Sequence, residues 1–287
     1  MIHHILIFLI GTLLITACDV RKPPDETSDQ QVVDTTLNQD LIYDKTPIYD
    51  ESTSQYPNDI DKFKDVLSHS KYQYPDSTTT VEYDQFDSYK TENFYVDKNN
   101  DFYFVMSKEK NSTKIRDELR EGPEDREWNT QDSDGNFWVS TIKCFKPKLG
   151  ISTYTWMQIH GTLDTFNYPL LRLLWVRSRD GIYDHIWSIV IISDPDDARV
   201  YEWTDLGKRP DGFFNASVYV QDNIMEIKIN DVVVKTYDVT YWESVTNYFK
   251  AGIYLNIFQD GGEGTIAYRE LQFLDWADPD YVTLTDP

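Results

Sequence analysis

Cysteine is almost missing from this chain, which has two in 287 residues, Cys18 and Cys144. So small a number excludes a disulfide framework, and stability must come from buried surface. Positive charge is also short: 27 Lys and Arg stand against 49 Asp and Glu, a net charge of −22 at pH 7. A nucleic-acid binder that works by neutralising phosphates is thereby excluded, and any polyanion has to be met by a local cluster of cations. No apolar run reaches the roughly 20 residues that a membrane-spanning helix needs. The amino-terminal run, Ile5 to Thr16, has twelve. Internal repeats are absent, as is any convincing helical stripe longer than about three turns in the body of the chain. What the chain does have is aromatic surface, with 8 Trp, 20 Tyr and 14 Phe inside an apolar total of 40%. That is enough for a large core and too apolar for a disordered acidic chain.

The amino-terminal run closes on Ile15-Thr16-Ala17-Cys18, an aliphatic residue and two small ones before a Cys. It is similar to a bacterial lipoprotein signal, although Met1-Ile2-His3-His4 carries no Lys or Arg. The resemblance implies a signal peptide over 1–17, diacylglycerol on the Cys18 thiol, and cleavage that leaves Cys18 first. The expected location is a membrane, held through that lipid. Asp19 after Cys18 would retain an enteric lipoprotein in the inner membrane, whereas the acidic residues that follow Lys22 suit export to the outer membrane or the cell surface. Residues 18–56, rich in Asp, Thr, Gln and Pro, read as a flexible acidic tether. Residues 57–287, with no composition break after residue 70, read as one domain and a monomer.

In that domain the apolar residues recur with period two. The runs are Phe102 to Met106, Phe137 to Phe145, Tyr154 to His160, Leu170 to Val176, Ile186 to Ile192, Phe213 to Val220, Ile224 to Ile229 and Val232 to Tyr237. Asp134-Gly135, Asp180-Gly181, Asp211-Gly212, Asn230-Asp231 and Gly261-Gly262 separate strands as turns. Many strands without intervening helices predict an all-β fold, an antiparallel sandwich or jelly roll, with one short helix around Asp59 to Ser68.

Three strands carry polar rows. Alternation puts Arg116, Glu118 and Arg120 on one face and Ile115, Asp117 and Leu119 on the other. It puts Trp156, Gln158 and His160 together, opposite Met157 and Ile159. It gathers Tyr248, Lys250, Tyr254 and Asn256 on one face, with Gly252 among them and Phe249, Ala251, Ile253 and Leu255 behind. A Gly inside such a strand implies that something approaches its backbone closely. Taken singly, the first row reads more readily as a solvated face with a cross-strand ion pair, and His160 as a hydrogen-bonded structural histidine. Together the rows describe a sheet whose concave face is a binding groove.

Arg116-Asp117-Glu118-Leu119-Arg120, Gln158-Ile159-His160 and Tyr248-Phe249-Lys250-Ala251-Gly252-Ile253-Tyr254 resemble, in order, the three signature blocks of the alginate lyases of polysaccharide lyase family 7. The likeness spans roughly residues 100 to 275. The family usually has Ser or Thr at the place of Asp117, and often Asn-Gln where this chain has Leu255-Asn256. The resemblance implies a β-jelly roll of the concanavalin A-like type with two antiparallel sheets. It also implies depolymerisation of alginate by β-elimination without a cofactor or metal. Removing the C5 proton of a uronate places a second negative charge beside its carboxylate, so a site has to neutralise that carboxylate. Arg116 and Gln158 suit this task. His160, of ordinary pKa ~6.5, suits the base, and Tyr254 can protonate the departing O4. Glu118, Arg120, Lys250, Tyr248 and Asn256 would orient these groups and grip flanking sugars. Ile159 between Gln158 and His160 resembles members that accept guluronate or mixed blocks. Glucuronan or another polyuronate is the alternative substrate, and a non-catalytic polysaccharide-binding lipoprotein the alternative role. Asp132-Ser133-Asp134-Gly135-Asn136 and Asp194-Pro195-Asp196-Asp197 read as turns, and His185 as structural.

Overall fold

The computed structural model describes residues 43–83, 85–113, 115–122, 126–148, 150–162, 167–255 and 261–275. Cys18 and Asn256 lie outside the described residues, as do the whole of 1–17 and most of the tether. In chain order the strands are β1 (Ser70–Gln73), β2 (Thr79–Val81), β3 (Phe94–Val96), β4 (Phe102–Lys108), β5 (Arg116–Glu121), β6 (Trp128–Asn129), β7 (Asn136–Cys144) and β8 (Thr153–Thr162). They continue as β9 (Pro169–Arg179), β10 (Ile182–Ile191), β11 (Tyr201–Lys208), β12 (Phe214–Gln221), β13 (Ile224–Ile229), β14 (Val232–Asp238), β15 (Thr246–Leu255) and β16 (Gly262–Asp275). Eight of them match the period-two runs of the sequence. Type I′ geometry makes two of the predicted turns into tight hairpins, with positive φ at Asp180 and Gly181 and at Asn230 and Asp231.

The strands form two antiparallel sheets. The nine-stranded one runs β11-β10-β9-β8-β15-β5-β1-β2 with β6 paired to β15, and the seven-stranded one runs β14-β13-β12-β7-β16-β4-β3. Neighbours such as β8-β15 and β7-β16 are far apart in the chain, the crossovers of the predicted jelly roll. Between the sheets one face of each strand is dry: Leu119, Met157, Ile159, Leu171, Leu173, Trp175, Phe249, Ala251, Ile253 and Leu255 of the larger sheet meet Trp138, Ile142, Phe214, Val218, Ile266, Tyr268 and Phe273 of the smaller. The helix α1 (Asp61–Ser68) begins two residues later than the sequence suggests, after a 3-10 turn at Pro57–Asp59. It buries Phe63, Val66 and Leu67, one stripe at helical spacing.

Two expectations are corrected. The segment 43–56, assigned to the tether by composition, lies on the domain from Tyr43 onward. Asp44 accepts from the Lys146 amide at 2.9 Å and pairs with the buried Arg209 at 3.2 Å. Further along, Gln55 bridges to Val96 and Tyr49 packs edge-on to Tyr95. Polar composition hides such a strap, because its contacts are single ion pairs and backbone hydrogen bonds.

The second correction is Trp156, which does not share a face with Gln158 and His160. Against β9, Thr155 faces Leu174 and Met157 faces Leu173, so Trp156 is the extra residue of a β-bulge. The bulge breaks the alternation. Trp156 therefore enters the core, 5.6 Å from the Trp138 ring, and Met157 and Ile159 also point inward. Of the three residues expected on one face, Gln158 and His160 remain on the outer, groove face.

Candidate active site

β5, β15 and β8 lie side by side, and their register assembles the three rows. Tyr254 faces Arg116, Gly252 faces Glu118 and Lys250 faces Arg120 across β15-β5. On the other side of β15, Lys250 faces Gln158 and Tyr248 faces His160. Gly252 has φ +139, and a Cβ there would stand 2.3 Å from the Asp117 carbonyl oxygen. The close approach inferred from a Gly in this strand is thus that of the neighbouring strand β5.

Glu118 is the hub of the arrangement. Its Oε1 accepts from Gln158 Nε2 at 2.5 Å, and its Oε2 accepts from Lys250 Nζ at 2.7 Å and lies 3.1 Å from Arg116 Nε. Burial by itself would raise this carboxyl's pKa. The Lys250 and Arg116 charges, with hydrogen bonds from Lys250 and Gln158, overcome that and hold it below the usual value. Burial pushes Lys250 down to about 8, and the neighbouring Arg116 and Arg120 charges add to the fall while Glu118 opposes it. Glu118 is 2% exposed, Lys250 1% and Gln158 3%. The mutual pairing of Glu118 and Lys250 places them to orient Arg116 and Gln158. Arg120 and Tyr248 sit nearer the surface, the guanidinium 4.2 Å above the Tyr248 ring and 3.6 Å from the Glu127 carboxylate.

His160 stacks on Tyr248, ring centres 5.3 Å apart. Its Nδ1 stands 3.1 Å from the Gly161 carbonyl oxygen. A carbonyl can only accept, so Nδ1 carries the proton and Nε2 keeps its lone pair. Burial, and then the Lys250 charge, bring the pKa down to about 3. The ordinary value expected from the sequence is therefore replaced by one that keeps the imidazole neutral, a free base, throughout the physiological range. At the other end of the row the Arg116 guanidinium lies 5.0 Å from the Tyr254 ring centre. Arg116 thus adjoins both the Glu118 hub and Tyr254.

Sequence reasoning missed three partners. Gln73, at the end of β1, accepts from Arg116 Nη1 at 3.2 Å while its amide donates to the Ser77 carbonyl at 2.9 Å. Its place in the run Lys71-Tyr72-Gln73-Tyr74 was readable as a strand position. Glu121 accepts from the Phe249 amide at 2.8 Å. Tyr268, from the opposite sheet, donates its hydroxyl to the Trp156 carbonyl at 2.8 Å and accepts from the Gly252 amide at 3.3 Å. No local sequence signal marks such a contact across the core. Asp117 faces away from the groove as expected, accepting from the Val105 amide at 2.8 Å. The two acidic segments are turns, with Asp132 accepting from the Asn129 amide and Asp194 from that of Asp196, and His185 pairs with Asp205 at 2.8 Å. Among the described residues no group of three His, Cys, Asp or Glu side chains could hold a metal ion.

A jelly-roll sheet that carries Arg, Gln, His and Tyr around a buried carboxylate hub fits the class of carbohydrate-active enzymes. The chain belongs to the alginate lyase family, whose profile matches residues 65–277, and is a polysaccharide lyase. It is 26% identical to an alginate lyase of Photobacterium sp. (strain ATCC 43367), over 76% of this chain and 87% of that one. Its fold is similar to that of the alginate lyase AlyC3, with a TM-score of 0.69 at 20% identity, covering 80% of this chain and 99% of AlyC3. The same holds for alginate lyase A1-II', a member of polysaccharide lyase family 7, with a TM-score of 0.59 at 22% identity over 74% and 96%. The family match begins inside α1, some 35 residues before the stretch in which the signature blocks are legible.

Proposed function

We propose that the protein cleaves the 1,4-glycosidic bonds of alginate by β-elimination, acting within the chain and accepting guluronate or mixed blocks. The observation that carries this reading is the Glu118 hub, which holds Arg116, Gln158 and Lys250 under one stretch of groove between His160 and Tyr254. A uronate carboxylate over Arg116 and Gln158 is neutralised there, which makes its C5 proton removable. The same carboxylate offsets the Arg116 and Lys250 charges that depress His160, so substrate binding raises the basicity of Nε2. For guluronate, His160 Nε2 takes the C5 proton, the C5–H electrons form the C4=C5 double bond, and the C4–O4 bond breaks as Tyr254 protonates O4. For mannuronate, whose C5 proton lies on the side of O4, Tyr254 serves as both base and acid: neutral His160 keeps it activated by taking up the phenol proton, and the phenolate oxygen takes the C5 proton and passes it to O4 as the C4–O4 bond breaks. The products are oligosaccharides ending in a 4,5-unsaturated uronate. AlyC3 has been solved with dimannuronate and A1-II' with the products and substrates GGG and GGMG, which supports an oligo-uronate ligand for this groove.

Block preference rests on Ile159, which is buried in the core and can act only through Gln158 and His160. Comparable rates on polymannuronate and polyguluronate, or a preference for polymannuronate, would remove that part of the reading. The test of the whole is to incubate residues 43–287 with alginate and with glucuronan and to follow the ultraviolet absorbance of the C4=C5–carboxylate. A rise with alginate is expected. A rise with glucuronan alone would change the substrate, and binding of alginate without product would favour a presenting lipoprotein.

The lipid on Cys18 and a place at the outer membrane or cell surface belong to the same proposal, supported by Ile15-Thr16-Ala17-Cys18. Metabolic labelling with a palmitate analogue that is lost in Cys18→Ser tests the acylation. Protease shaving of intact cells tests the location.

A further inference from the structure

The groove face does not end at β8. Thr155 lies opposite Tyr254, Leu174 opposite Thr155, and Trp187 opposite Leu174, so one cross-strand row runs from Arg116 through Tyr254 to β10. Beyond β8 this face changes character. Leu174, Val176, Trp187 and Ile189 form a second apolar cluster, separate from the core, with Ile182, Tyr201 and Trp203 half-buried at its margin. Trp203 lies opposite Ile189, and its ring is 6.5 Å from that of Trp187. The β9-β10 hairpin bends at Asp184, where φ is +57. From it Arg179 reaches 3.9 Å from the centre of the Trp203 ring and 5.6 Å from that of Trp187. Its described ion-pair partner is the exposed Asp180, at 3.4 Å.

We propose that this patch on β9–β11 is a distal subsite for the same polyuronate chain, with Trp203 as the stacking platform and Arg179 as the partner of a sugar carboxylate. The inference rests on the alginate reading above. Three features carry it. The patch is continuous with the polar rows on one sheet face. It pairs aromatic surface, which suits the apolar face of a pyranose ring, with a cation held beside that surface, which suits an anionic sugar. From β15 to β11 is four strand spacings, roughly 19 Å, so a bound chain has to extend several sugars from the scissile bond to reach it. Substrate length, and not the chemistry of the cleaved bond, would then be read here.

The experiment compares wild type, Trp203→Ala and Arg179→Gln on polymeric alginate and on an alginate trisaccharide too short to span the distance. On polymer, Trp203→Ala is expected to raise KM about fivefold to tenfold at unchanged kcat, the size of one lost aromatic contact. Arg179→Gln, which leaves the tryptophans packed, is expected to raise KM about threefold at low salt and to match wild type at ~1 M salt. Neither variant should change the trisaccharide kinetics. A KM on polymer within twofold of wild type for both variants, or an equal rise on trisaccharide and polymer, would overturn the subsite while leaving the alginate reading in place. Failure of the wild type to cleave alginate would overturn that reading, and the subsite with it. Should Trp203→Ala not fold, Arg179→Gln decides alone.

Discussion

The Tyr268 hydroxyl donates to the Trp156 carbonyl at 2.8 Å, joining β16 of one sheet to the bulge in β8 of the other. The same oxygen accepts from the Gly252 amide on β15. Both backbone groups sit where β8 and β15 leave regular pairing, and both strands carry groups of the proposed site. A bulge leaves polar groups without ladder partners, and a buried group left so costs about 1 to 3 kcal/mol. Tyr268 supplies what the ladders lack.

Tyr268→Phe is therefore expected to lower stability by about 1 to 3 kcal/mol and to reduce kcat on alginate more than it changes KM, because the strands stay paired while their polar rows lose phase. Thermal unfolding and steady-state kinetics check this. A variant with wild-type kcat would show that packing alone fixes the bulges.

Gly252→Ala meets β5 directly. Its Cβ would lie 2.3 Å from the Asp117 carbonyl oxygen and 2.5 Å from the Glu118 Cα, and its φ is unfavourable for any other residue. Strain of this kind costs about 1 to 3 kcal/mol before the clash is counted, so a fall in Tm of at least several degrees is expected in calorimetry, with loss of activity as Glu118 is displaced.

Glu118→Gln removes the anion that faces Lys250 and Arg116. An unpaired buried charge costs about 3 to 5 kcal/mol, and Lys250 is the residue left with it. Urea unfolding should show the loss, and the double variant Glu118→Gln/Lys250→Met should recover most of it, since it removes the stranded charge. Neither variant should cleave alginate at more than a small fraction of the wild-type rate.

Two groups, the half-buried His160 and the buried Asp117, give opposite pH slopes. His160 titrates near 3 in the folded protein and near ~6.5 unfolded, so the unfolded chain holds the extra proton between these values and stability falls as pH drops through that window. Asp117 is the reverse. Burial raises its carboxyl well above the ordinary range, so the folded protein keeps a proton that the unfolded chain releases above pH ~4, and stability falls as pH rises from there. His160→Asn should flatten the acid limb of a Tm–pH profile. Asp117→Asn should raise Tm at pH 7 and leave it unchanged near pH 3.5. Unchanged slopes in both variants would contradict these assignments.

Much of this was legible in the sequence, for a physical reason. Alternation is a local property, so the face of Arg116, Glu118 and Arg120, the apolar back of β15, and the turn of Asp117 away from the groove followed from spacing alone. The side of Trp156 did not, because a bulge is set by what β9, β15 and Tyr268 offer it and leaves no mark in Tyr154-Thr155-Trp156-Met157. The Glu118 hub was visible as three rows, but its burial was not. That depends on which strands neighbour each other, and β5, β15 and β8 are far apart in the chain. The strap at Asp44 was hidden for a similar reason, its partner Arg209 lying 165 residues away.

The claim at the centre of the account is that Tyr254 delivers the proton to O4 over a carboxylate held by the Glu118 hub. Tyr254→Phe removes one hydroxyl and keeps the ring beside Arg116, so kcat on alginate, followed by ultraviolet absorbance with thermal unfolding as control, tests it most directly. The account predicts a fall in kcat of well over tenfold, with KM within about twofold of wild type and Tm unchanged. A folded variant that kept more than about a tenth of wild-type kcat, a barrier change under roughly 1.4 kcal/mol, would contradict it.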